Sequence, residues 1–287
     1  LVKGSIAKKI DMAALQPFTK KPQYVLTEPF NGGMKFKNGD TVIARITPCL
    51  ENGKTAYIDV LHDKEVGFGS TEYIVLREKD GLSDKQFLYY FATSSVFRDV
   101  AILSMTGSSG RQRVQTDVVT NHVFEIPPLP EQKAIAAVLS SLDDKIDLLH
   151  RQNQTLEAMA QTLFRQWFIE EAREDWEECL FKDEFDFTMG QSPAGSSFNE
   201  EKLGMPMFQG NADFGFRFPT ERVYTTEPTR FAEPFDTLIS VRAPVGAQNM
   251  AKVKCCIGRG VAAFRYKNNP DFYTYTYYKL HSLMDEI

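Results

Sequence analysis

Cysteine is scarce. The 287 residues hold four, Cys49, Cys179, Cys255 and Cys256, which lie either far apart or side by side. That spacing fits neither a paired zinc knuckle nor a secreted disulfide scaffold, so reduced thiols and no metal are expected. Long apolar runs are missing as well: none approaches the roughly 20 residues that span a bilayer. Leu1 opens no basic-then-apolar leader, so the expectation is a cytoplasmic chain, trimmed at its start. His62, His122, His150 and His281 are scattered, none with a carboxylate or thiol at ligand spacing, so no catalytic centre is legible. The glycine-rich stretch at Gly107 lacks the Lys-Ser/Thr ending of a nucleotide loop.

Charge is unevenly spread. Nine acids and two bases fall between Glu170 and Asp186, a local −7, so the remainder carries +2 although the whole chain carries −5. From Thr237 to Pro270 there is no acid, while Arg242, Lys252, Lys254, Arg259, Arg265 and Lys267 are present. Such a strip is read either as a solvated sheet face or as the footprint of a nucleic acid.

What the sequence has in abundance is one helical pattern. Pro127, Pro128 and Pro130 forbid helix before them and pre-set its first turn, and no Gly or Pro follows until Gly190. Core-type positions then recur in steps of four and three: Ile135, Leu139, Leu142, Ile146, Leu149, Asn153, Leu156, Ala160, Leu163 and Trp167. The spacing predicts a helix from Pro130 to near Phe168, about 58 Å long at 1.5 Å per residue. Each large side chain of the stripe left in water forgoes roughly 1.5–3 kcal/mol, so the stripe is expected to pack against another helix. Asn153 on it either fixes register and partner or makes a local cap or water contact.

Both flanks are rich in β-branched and aromatic residues broken by Gly, Asn and Pro, which predicts strands, turns and short helices. They also repeat one another. Asp40–Pro48 reads like Asp236–Pro244, Gly67–Ser70 like Gly258–Val261, and Phe87–Tyr90 like Tyr275–Tyr278, at offsets of 196, 191 and 188 residues. Order kept through a slowly drifting offset is what two diverged copies of one domain give when loops shorten.

With these features in place, the chain resembles the specificity subunits of type I restriction-modification systems. Pro127–Ala136 looks like the lead-in to that family's spacer helix and Leu163–Phe168 like its exit. Gly190–Pro193 followed by Met207–Gly215 is similar to the opening of a target-recognition domain; Asn38–Thr41, Ala44–Lys54, Gly69–Glu72 and Gly107–Val114 resemble one subgroup of such domains. The resemblance implies an α+β chain of two β-rich target-recognition domains joined by a long coiled-coil-forming helix: 1–126, spacer 127–172, and 173–287. Against the family pattern the first domain lacks its opening residues. The second stops at Ile287, the equivalent of Asp99, which leaves out the counterpart of the Gly107–Val114 loop and a second helix.

The function implied is non-catalytic recognition of a bipartite double-stranded DNA target, with docking of methyltransferase and restriction/translocase subunits. No cofactor is expected in this chain; S-adenosylmethionine, ATP and Mg belong to those partners. DNA contacts are expected from Arg45, Thr47, Asn52 and Lys54 around a Pro-Cys-Leu turn, from Ser70 and Thr71, and from Gly107, Ser108, Ser109, Arg111, Gln112 and Arg113. In that last loop glycines admit close backbone approach, the arginines supply forked donors, and Gln112 suits an adenine edge. Gln209, Asn211, Arg242 and Arg259 are the second domain's candidates. With a single helix, the chain is expected to form a homodimer through an antiparallel helix pair unless a methyltransferase subunit covers the stripe. Two other readings stay open: a coiled-coil scaffold with two protein-binding domains, and a hydrolase using carboxylates from Glu170 to Asp186.

Overall fold

β-Branched and aromatic runs cut by Gly, Asn and Pro give short strands, and the charged, glycine-free segment in the middle gives one long helix. The computed structural model describes residues 1–285, so Ile287, the end of the second expected domain, lies outside them. It divides into two compact units, Leu1–Arg151 and Gln152–Ile287, here module 1 and module 2. The dividing point falls inside the long helix, because its two halves pack on different β-rich bodies.

Module 1 runs β1 (Ile6–Ile10), β2 (Leu26–Pro29), β3 (Lys35–Phe36), β4 (Thr41–Ala44), β5 (Thr55–Tyr57), β6 (Gly67–Gly69) and β7 (Tyr73–Leu76). Helices α1 (Lys85–Thr93), α2 (Ser95–Leu103) and α3 (Thr116–Asn121) follow, then the start of α4 (Leu129–Arg165). One sheet has the order β2-β1-β6-β3, the other β5-β4-β7. Strand β4 is buried on both faces, with Val42 facing Ile10, Phe36, Ile58 and Tyr73 and Ile43 packed with Leu50, Phe97 and Val114. Asp84 caps α1 by accepting from the amides of Gln86 and Phe87.

Module 2 continues from α4 through a π-helical turn, Gln166–Glu170, and a mostly exposed acidic stretch to α5 (Phe181–Glu184). Its strands are β8 (Phe185–Met189), β9 (Phe198–Asn199), β10 (Met205–Phe208), β11 (Tyr224–Thr225), β12 (Phe231–Ala232), β13 (Thr237–Ser240), β14 (Gln248–Met250), β15 (Cys255–Ile257) and β16 (Val261–Tyr266), before α6 (Tyr273–Asp285). The sheets are ordered β12-β15-β10-β11-β9 and β14-β13-β16-β8.

These pairings display the duplication. Strands β1 and β6 are parallel, as are β10 and β15; β1·β2, β3·β6, β4·β5 and β4·β7 are antiparallel, as are β10·β11, β12·β15, β13·β14 and β13·β16. One alignment needs correction. Lys9 and Ile10 pair with Phe68 and Gly69, whereas Met207 and Phe208 pair with Cys256 and Ile257. The counterpart of Gly67–Gly69 is therefore Cys255–Ile257, and not Gly258–Gly260, which follows that strand. Two glycines matched by eye, but hydrogen-bond register, which sets which side chain faces the core, places them three residues apart.

Within the single chain, α4 leaves most of the heptad stripe uncovered, so the helix expected to pack on it would come from another chain. Leu142, Ile146, Leu149, Asn153, Leu156, Leu163 and Trp167 are exposed, while Ile135, Leu139 and Ala160 are half-buried. The helix instead turns a more polar face to each module. In module 1, Gln132 accepts from the Asp84 amide and donates to the carbonyls of Leu82 and Pro127. Lys20 donates to Gln86, Tyr90 and Ser140 at 3.0 Å each and lies over the Tyr57 and Tyr90 rings, while Tyr90 donates to Asp143 at 2.6 Å. Module 2 repeats that device: Tyr278 donates to Glu157 at 3.2 Å, and Arg217 pairs with Glu157 and stacks over Tyr277 at 4.0 Å. Among the described residues no helix is long and apolar enough to cross a membrane, and all four cysteines are free.

Candidate nucleic-acid interface

Strand β4 ends at Ala44, and the chain beyond it meets the Gly107 loop. The Thr47 amide donates to the Gln112 carbonyl at 3.0 Å, the Val114 amide to the Arg45 carbonyl at 2.9 Å, and Thr106 and Arg113 exchange backbone bonds across the loop. Arg45–Thr47 and Gln112–Val114 thus pair as a two-stranded ribbon, and the turn that leads from Thr106 back to Arg113, in which the Arg111 amide donates to the Ser108 carbonyl, closes the Gly107 loop beside it. Gly107, at φ +133°, supplies backbone that an L side chain rarely adopts.

At the base of the ribbon stands Glu72, which the sequence reading did not single out. One carboxylate oxygen accepts from Arg45 Nε at 3.1 Å and the other from Arg113 Nε at 2.8 Å. Burial works against the charge of Glu72, but the hydrogen bonds and charges of Arg113 and Arg45 outweigh it and hold the carboxyl below the usual range. Ser70 accepts from the Glu72 amide, and Thr47 donates to Glu51. The structure therefore gathers Arg45, Thr47, Ser70, Gln112 and Arg113. Gly107, Ser108, Ser109 and Arg111 lie exposed at the loop tip, and Thr71 and Asn52 are exposed beside them in sequence. Lys54 is not drawn in, since its ammonium donates to the Met12 carbonyl at 3.0 Å.

In module 2 a second cluster forms where β8, β10 and β15 end. Ser192 donates to Gln209 at 2.9 Å and accepts from the Arg259 amide at 3.3 Å; the Gly258 amide donates to the Phe208 carbonyl. A methyl at Gly190 would sit 2.1 Å from the Gly258 carbonyl oxygen, and one at Gly260 would sit 2.2 Å from that of Gln209, so close backbone approach demands glycine there. Gln209, Arg242 and Arg259 border this crossing, the two arginines exposed; Asn211 opens the 3-10 turn that follows. The acid-free strip does not form one basic surface: Arg265 is bonded to Asp236 and Lys254 to Glu233, both acids from just before the strip. The carboxylates of residues 170–186 are mostly exposed, and no metal-binding group of His, Cys, Asp or Glu occurs among the described residues.

Residues 6–158 match the family described as type I restriction modification DNA specificity domain, more than half of the chain. The chain belongs to that family. It is 34% identical over 247 residues to the MjaX specificity subunit of Methanocaldococcus jannaschii, covering 79% of this chain and 57% of that one. It is 33% identical over 153 residues to the EcoAI specificity subunit of Escherichia coli, covering 50% and 26%. The chain thus spans less than two thirds of either relative. The HsdS subunit from Thermoanaerobacter tengcongensis aligns over 99% of this chain and 74% of its own, at 28% identity and a TM-score of 0.42.

Proposed function

We propose that the chain is a non-catalytic, DNA-reading subunit of a type I restriction-modification complex, each module meeting one part of a split duplex target. Family membership gives the class, and the ribbon of Arg45–Thr47 and Gln112–Val114 is the observation that carries the reading for this chain. A two-stranded ribbon fits the major groove, where base edges are distinguishable, and this one carries two arginines and a glutamine. Methyl transfer, DNA cleavage and the S-adenosylmethionine, ATP and Mg they use are assigned to partner subunits in the cytoplasm. The open stripe on α4 is assigned to a helix of a second copy, packed antiparallel, or to a methyltransferase subunit. Gel-shift titration on duplex DNA at several salt concentrations tests the central claim. Binding should weaken with salt, and Arg111→Ala should lower affinity on all sequences and flatten the salt slope by about 1. Salt-independent or absent binding would leave the scaffold reading.

A further inference from the structure

The geometry points to Glu72 as a positioning residue that holds Arg45 and Arg113 as a matched pair of guanine readers, so that the half-target met by module 1 carries guanine at two positions. The inference rests on the DNA-reading function above and adds which base is read and by what.

Both guanidinium groups are tethered through Nε to one carboxylate, Arg45 at 3.1 Å and Arg113 at 2.8 Å. Tethering by Nε fixes the plane of a guanidinium and, in Arg45, leaves the edge formed by its two terminal nitrogens as a fork; in Arg113 Nη2 also lies 2.8 Å from the Glu72 carboxylate and Nη1 3.4 Å from the Arg111 carbonyl, so each terminal nitrogen has one N–H left for that edge. The backbone is fixed at the same points, because the Arg45 amide donates to the Glu72 carbonyl and the Val114 amide to that of Arg45. Glu72 is the more covered partner, with 22% of its side chain exposed against 33% and 45% for the arginines, so the cations stand outward of the carboxylate.

Charge decides between phosphate and base. A site for phosphates gains from every cation and is weakened by a carboxylate placed between them. Base reading depends instead on the direction of the donors, and the major-groove edge of guanine presents two acceptors, N7 and O6, matched to one arginine fork. Among the described residues the Arg45–Glu72 pair is not repeated in module 2. The Val241 amide donates to the Gly260 carbonyl just as Arg45 donates to Glu72, so Val241 and Gly260 occupy the equivalent places in module 2.

The test is selection from a pool of randomised duplexes by the full chain, repeated with Arg45→Ala, Arg113→Ala, Glu72→Ala and Glu72→Gln, each first shown by circular dichroism to be folded at the temperature of the selection. Wild type should enrich a motif with two guanines in one half. Each arginine variant should lose preference at one of them by about ten- to a hundredfold. Glu72→Ala should lose preference at both while its binding to unrelated duplexes holds or rises. A carboxylate that merely braces the fold would move specific and unrelated binding together; if Glu72→Ala fails to fold, Glu72→Gln carries the same comparison. A selected motif without guanine, or one unchanged by Glu72→Ala and Glu72→Gln, overturns the inference and leaves DNA reading intact. Failure of wild type to bind any duplex overturns both.

Discussion

Arg265 donates two hydrogen bonds to Asp236, at 2.7 and 2.9 Å, in the manner by which Arg77 donates two to Asp40, each at 2.7 Å. Asp236 also accepts from the amide three residues before it, Glu233, as Asp40 does from Lys37. The aspartate opening the central strand is thus tied to the last strand of its own module in both copies. Burial pushes the Asp236 carboxyl up although Arg265 and the Glu233 amide oppose it, so the contact offsets desolvation only in part.

Removing the cation should therefore do more harm than the bridge does good. Arg265→Met leaves a carboxylate that is 7% exposed without its partner and should destabilise module 2 by roughly 3 kcal/mol. Asp236→Asn in the same background should recover part of that loss. Urea unfolding of wild type and the two variants measures the difference.

Tyr90→Phe should loosen α4 around Asp143 by about 1–2 kcal/mol, since the phenol is the hinge between Lys20, Ser140 and Asp143. Amide exchange should quicken in residues 136–147 and leave β4 protected. Equal exchange in both proteins would assign the hold to other contacts.

Acid should weaken the ribbon. The Glu72 carboxyl lies below its ordinary 4.5 in the folded state, so its contribution is complete above that value and fades as pH falls through the lowered one. Glu72→Gln should be less stable than wild type at neutral pH, and the gap should narrow below pH 4.5. A gap constant with pH would contradict the assignment.

Leu149→Asp with Leu156→Asp should leave both modules folded, because these side chains are 45% and 61% exposed in the single chain. The pair should abolish self-association through the stripe. Sedimentation of wild type and variant, at concentrations spanning several decades, reads the outcome directly.

The open stripe also shows how far a pattern carries. Steps of four and three from Ile135 to Trp167 announce a helix and its apolar side, and α4 runs Leu129–Arg165. They do not say that Ser140, Asp143 and Glu157 face the modules, since polar docking leaves no period in hydrophobicity. The role of Glu72 was equally hidden: it ends the Gly69–Glu72 segment as one acid among many, and its two arginines lie 27 and 41 residues away.

Local chemistry alone settled the helix, the strand-rich flanks and the presence of two copies, because periodicity, proline and repeated short segments act over a few neighbouring residues. Register and the meeting of distant side chains needed the folded chain. Gly258 is displaced from its apparent partner by strand pairing, and Glu72 joins Arg45 and Arg113 only where β7's approach meets the ribbon. Hydrogen bonds between segments far apart in sequence select one pairing among many, and that selection is a property of the packed structure.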